Sequence, residues 1–248
     1  MSGHSKWSTI KHKKAKVDAA RGITFQKFSR ELIVAAKLGG PDPNGNFRLR
    51  TAIDRAKAAG LPNDNIKRAI EKGAGAGGSD NFEELTYEGY GAGGTAIFIE
   101  AMTDNRNRTA GDIRSYFTKY NGNLGETGCV GWMFKTLGQI TYPLDTDFDK
   151  LFEDAISLDA LDIEAGEENI VITTKPEDLE RITLGLADLG YKELTSEVTK
   201  IPDNTVPITD KAKAEQILKL IDRLEEHDDV QNVYANFDIS DEILEELG

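Results

Sequence analysis

Residues 1–77 carry 16 Lys and Arg against 6 Asp and Glu, in a chain of 248 residues whose formal net charge is −13. The rest of the sequence therefore has 14 basic residues against 37 acidic ones. This split constrains the fold more than any single motif. A basic head and an acidic body are separate segments with separate surfaces. Such asymmetry points to a polyanion that the head meets and the body repels. Charge runs are also the ordinary dress of solvated helices, but here the basic excess persists across several predicted helices.

The head reads as helical. From Ser8 to Val17 the lysines point all round a helical wheel, which leaves little apolar face. This stretch is expected to act as an arm that orders when something binds. After Gly22, the residues Phe25, Phe28, Leu32, Ala35 and Ala36 recur at helical spacing, and Gly39-Gly40-Pro41 ends the run. A second apolar stripe comprises Leu49, Ala52, Ile53 and Ala56. A third, with Ile66, Ala69 and Ile70, follows Gly60-Leu61-Pro62 and stops at Gly73. Ala56, Gly60 and Ile66 fit the loose helix-turn-helix pattern, which would place Lys67 and Arg68 on a recognition helix; an ordinary helical corner fits equally well.

The candidate nucleic-acid-binding residues are Lys6, Trp7, Lys11, Lys13, Lys14, Lys16, Arg21, Lys27, Arg48, Arg50, Arg55, Lys57, Lys67 and Arg68. Lysines in this density meet phosphates and set affinity rather than sequence choice. Trp7 either stacks on a base or pins the arm to the body, and pinning is the simpler role.

Gly73 to Gly78 form a connector rich in glycine and alanine. Two glycine triplets, 73/75/78 and 89/91/94, match G-x-G-x-x-G. Neither lies between a strand and a following helix, so neither is read as a phosphate loop. Beyond the connector, 95–102 reads as a strand. Next come a polar loop, a helix with Thr109 and Asp112 spaced as a capping box, and a strand over 129–134. Residues 139–201 give strand (139–143), helix (148–158), strand (161–165), strand (169–173), helix (176–189) and strand (193–201), the ferredoxin-like order. Residues 203–207 read as a turn, 211–226 as a helix and 230–239 as a strand. The expected fold class is thus multidomain α+β: a basic helical domain (1–78), a discontinuous ferredoxin-like domain (79–134 and 206–248) and a second such domain (135–205) inserted in it. Two serial domains fit the same elements.

Catalytic chemistry is not expected. Asp145, Asp147 and Asp149 imitate a calcium loop, but Lys150 stands where the turn glycine belongs and Ile156 where the bidentate glutamate belongs. These acids read instead as helix-start residues. His4, His12 and His227 have no metal-ligand spacing, and no nucleophile elbow or Walker loop occurs. The expectation is a non-enzyme with no catalytic residue, cofactor or metal. Cys129, alone and among apolar neighbours, reads as a packed side chain. With no apolar run long enough for a bilayer and no signal-peptide core, a cytoplasmic protein without a membrane partner is expected. The loop residues Asn105, Arg106, Asn107 and Arg108 stand out in the acidic body, either as a partner site or as interdomain salt bridges, with the bridges favoured. Oligomeric state is open.

Several stretches resemble one family: GHSKW (3–7), HKKAKVDAARG (12–22), AAKLGGPDPNGNFRLRTAIDRAKAAGLP (35–62), YEGYGAGGTA (87–96), DNRNRT (104–109), NGNLG (121–125) and DDVQNVYANFDI (228–239). Together they resemble the YebC/PmpR family along essentially the whole chain. Asn121 stands where many members carry glycine. The resemblance implies a three-domain cytoplasmic protein, a helical domain followed by two ferredoxin-like domains, that acts in gene expression. Bacterial members are described as DNA-binding transcriptional regulators. Mitochondrial relatives are described as translational activators, and some bacterial members are linked to ribosomes and to elongation through proline-rich stretches. The expected partner is accordingly DNA, with ribosomal RNA or the ribosome as the alternative.

Overall fold

The computed structural model describes residues 17–75, 82–166 and 169–247. Contacts divide the chain into two compact units, one reaching Phe134 and resuming at Pro202, the other Lys135–Ile201. Among the described residues no helix is long and apolar enough to cross a membrane. The described residues form a mixed α+β fold whose first three elements are helices.

Helices α1 (Val17–Gly39), α2 (Phe47–Ala58) and α3 (Asn63–Gly73) build the head. Leu32, Ala36, Leu49, Ala52, Ala56, Ile66 and Ala69 form its core, with Phe25 and Phe28 packed on the rim. Small residues let the helices approach closely. At Gly73 a Cβ would collide with the Ile33 carbonyl and the Ala36 methyl, so only glycine admits this crossing of α3 on α1. Asn46 is buried as the α2 N-cap. Its Oδ1 accepts from the Leu49 N–H at 3.0 Å, and its Nδ2 donates to the Ala35 and Gly40 carbonyls at 2.8 Å each.

The acidic body begins with a strand that the sequence reading missed. β1 (Glu83–Tyr90) forms an antiparallel hairpin with β2 (Ala96–Thr103), in register from Glu83↔Thr103 to Tyr90↔Ala96. The second glycine triplet lies in this hairpin. Helix α4 (Arg106–Lys119) and the two-residue β3 (Asn123–Leu124) follow. The expected capping box at Thr109 is corrected: Asn105 caps α4 by accepting from the Arg108 N–H, and Thr109 is buried. The strand expected over 129–134 is corrected too, being a 3-10 turn at Gly131–Met133.

β4 (Phe134–Pro143), α5 (Phe148–Ser157), β5 (Asp162–Ala165), β6 (Asn169–Thr174), α6 (Leu179–Asp188) and β7 (Thr195–Pro202) come next. The chain returns to the first unit through β8 (Val206–Ile208), where a turn was expected, and α7 (Lys211–Glu225). The expected strand over 230–239 breaks at Asn236. Its first half, β9 (Val230–Ala235), pairs with β2, and its second, β10 (Phe237–Ile239), runs parallel to β8. Helix α8 (Asp241–Leu247), also missed, ends the described chain.

The sheet orders explain the architecture. In the second unit the order is β5-β6-β4-β7, the ferredoxin-like arrangement of a βαββαβ chain. In the first unit the order is β3-β1-β2-β9. The two match position for position if β2, β3 and β9 are strands one, two and four. The third place is then taken by β1, which comes before β2 in the chain. The same spatial pattern is thus reached with one strand moved to the front. Ile97, Ile99, Ile113, Phe117, Ile217, Ile221 and Val233 fill its core. On the opposite face of the sheet Ala96 and Phe98 pack with Val130 and Phe134, beside half-buried Cys129.

Candidate nucleic-acid interface

Some of the head's cations make the tertiary contacts that follow, and others stand exposed. Lys6, Trp7, Lys11, Lys13, Lys14 and Lys16 lie outside the described residues. Arg21 lies on α1, but its side chain is likewise outside the description. The Lys27 ammonium donates to the Glu225 carbonyl at 2.5 Å, at the C-terminal end of α7, where a cation satisfies an orphan acceptor and the helix dipole together. Arg48 bridges Glu31 at 2.9 Å and Glu84 at 2.6 Å, tying the head to β1. Burial alone would lower the Arg48 pKa; the hydrogen bonds it donates to Glu31 and Glu84 outweigh this and hold the guanidinium above its usual value. The Arg50 guanidinium lies over the Phe47 ring at 5.2 Å.

Arg55 and Lys57 in the last turn of α2, and Lys67 and Arg68 on α3, are exposed. A tight corner joins these two helices. Ala56 and Ile66 are buried, Gly60 takes a φ of +83°, and the Leu61 N–H closes the turn on the Ala56 carbonyl at 2.9 Å. Asp54, Asp64 and Glu71 share the exposed surface of these helices.

The stretch 104–109, expected as a loop, is corrected to the Asn105 cap and first turn of α4, and its office is different. Arg106 is 70% exposed and lies 4.0 Å from Glu83, and Asn107 is exposed. Arg108 reaches Asp104 at 2.8 Å and Asp229 at 3.1 Å. Asp229, only 1% exposed, is the hub that the sequence reading missed. It accepts from the Thr109 hydroxyl at 2.7 Å and the Thr103 hydroxyl at 3.1 Å, and pairs with Arg30 of α1 at 3.1 Å. Burial pushes its carboxyl pKa up, but the Thr109, Arg108, Arg30 and Thr103 contacts outweigh this and hold it below the usual carboxylate range. Head and body therefore meet through a buried anion shared by Arg30 and Arg108. The sole sequence signal was an acid, Asp229, placed at the start of an apolar strand.

A second buried carboxylate shapes the body. Glu88, 3% exposed, accepts the Gly128, Val130 and Gly131 N–H groups at 2.8, 2.8 and 2.7 Å. It thereby anchors the loop that covers the sheet.

Residues 5–76 match the TACO1/YebC protein N-terminal domain, and residues 82–237 match the TACO1/YebC second and third domain. The chain belongs to the TACO1/YebC family. One relative, a probable transcriptional regulatory protein of Geotalea uraniireducens, is 56% identical over 247 residues, with 100% of both chains covered. Another of the same description, from Desulfitobacterium hafniense, is 52% identical with 99% of both covered. The crystal structure of a conserved hypothetical protein from Aquifex aeolicus superposes with a TM-score of 0.84 at 50% identity, covering 95% of this chain and 97% of that one. The TACO1/YebC match spans head and body alike, and the Asp229 junction joins Arg30 of the first matched segment to Arg108 and Asp229 of the second.

Proposed function

We propose that this protein is a non-enzymatic, nucleic-acid-binding regulator of gene expression whose helical head grips a phosphate backbone, with duplex DNA as the main target. One observation carries the reading: the +10 head keeps Arg55, Lys57, Lys67 and Arg68 exposed around the α2–α3 corner while the remaining sequence is strongly acidic. The relatives' description as probable transcriptional regulatory proteins supports the same class. Exposed cations next to Asp64 and Glu71 favour phosphate contact over dense base reading. That feature also supports a second reading, in which structured ribosomal RNA is gripped by shape and phosphate.

Crosslinking in cells separates the two. Chromosomal DNA recovered with the wild-type protein and lost with Lys67→Glu plus Arg68→Glu supports the first. Ribosomal RNA with the same dependence supports the second. Recovery of neither, or recovery indifferent to the charge reversal, defeats both.

A further inference from the structure

The unit Lys135–Ile201 carries 16 Asp and Glu against 6 Lys and Arg. Among the described residues, every large apolar side chain that stands exposed lies in this unit except Leu38 and Trp132. Apolar groups scattered singly over a solvated face are ordinary, whereas neighbouring ones set among acids mark a contact surface. The two features coincide on α5. Leu151 and Ala155 point into the core, whereas Phe152 and Ile156, one turn apart, are each 43% exposed. The Phe148 ring lies 6.2 Å from that of Phe152 and extends the ledge. Asp149 and Glu153 interleave with these residues at i, i+3, i+4 and i+7 spacing, so acids and apolar groups share one face.

These acids are not spent within the chain. On α7, Glu215 pairs with Lys219 and Glu226 with Arg223, as on ordinary solvated helices. Asp149 and Glu153 have no ion pair among the described residues, and the nearby Lys150 is turned over the Tyr191 ring at 5.9 Å. We propose that this face of α5 docks a lysine- and arginine-rich amphipathic segment of a protein partner. Charge complementarity selects that occupant. Nucleic acid and anionic lipid would be repelled, and a second copy of the unit would bring the same excess of acid against itself.

The test places a photoreactive benzoylphenylalanine at Ile156 in the full chain in cells and maps the crosslinked peptide. The expected product is a basic segment of another protein with apolar residues on one face. A synthetic peptide of that segment should then bind the purified protein, and Asp149→Asn plus Glu153→Lys should weaken it at least tenfold. Phe152→Ser should do the same at unchanged charge. If the charge variant does not fold, Glu153→Gln alone should still weaken binding severalfold. A crosslink to nucleic acid, to this same chain or to nothing overturns the proposal, as does a mapped peptide whose affinity the variants leave unchanged. Head-directed nucleic-acid binding is measured separately and should not change in any of these variants.

Discussion

At the scale of single residues, two buried acids organise the first unit, and neither announces itself by charge. Asp229 holds Arg30, Arg108, Thr103 and Thr109 around one carboxylate. Removing it leaves cationic and hydroxyl groups facing an uncompensated void. Asp229→Ala should cost about 3 kcal/mol in urea unfolding. The pH dependence has a definite sign. A carboxyl whose pKa is depressed on folding contributes stability that is present above its unfolded value of about 3.9 and is lost as pH falls through the folded value. The stability gap between wild type and Asp229→Asn should therefore be widest near neutrality and narrow in acid. A gap that widens in acid would show that Asp229 is not the ionised hub. Glu88→Gln keeps the shape but replaces an acceptor-only carboxylate with an amide whose N–H₂ must face backbone donors. We expect a loss of about 1–3 kcal/mol, together with changed fluorescence of Trp132, which is held next to that loop and donates to the Cys129 carbonyl. Denaturation followed by tryptophan emission in a Trp7→Phe background measures both.

At the scale of elements, the head depends on close helix approach, and Gly73 marks its tightest point. Gly73→Ala pushes a methyl against the Ile33 backbone, which cannot move aside without shifting α1. Overpacking of this kind should cost about 1–3 kcal/mol, read as a lower melting temperature, while an alanine at exposed Gly45, whose φ is not positive, should cost much less. The helices of the head were legible because apolar residues recur at helical spacing and glycines and prolines end each run. The second unit was legible because its six elements alternate cleanly. β1 was not, since Glu83, Glu84, Glu88 and Gly89 argue against a strand; the buried Glu88 is tolerable only because a loop some forty residues later supplies three N–H groups. The cap of α4 was misplaced because Thr109 resembles a cap residue, while its hydroxyl is taken up by Asp229, distant in sequence. The strand over 230–239 read as one because its apolar alternation is continuous, and only pairing with β2 and then β8 reveals the break.

At the scale of the whole molecule, charge could be counted from sequence but its allocation could not. Lys27 and Arg48 look like phosphate ligands beside Lys67 and Arg68, yet Glu225 and Glu84 of the body claim them for joining head to body, with Glu31 of α1 also held by Arg48. The cations that remain exposed at the α2–α3 corner are fewer than the sequence suggests, and they carry the functional reading. The most direct test is the salt dependence of nucleic-acid binding by the full chain. Log affinity for duplex DNA is plotted against log salt for wild type and for Lys67→Glu plus Arg68→Glu. If Arg55, Lys57, Lys67 and Arg68 each neutralise a phosphate, the wild-type slope should be roughly −3.6 or steeper, and the double reversal should flatten it by about 2. A shallow wild-type slope, or one that the reversal leaves unchanged, would contradict the claim that this corner of the head holds the polymer.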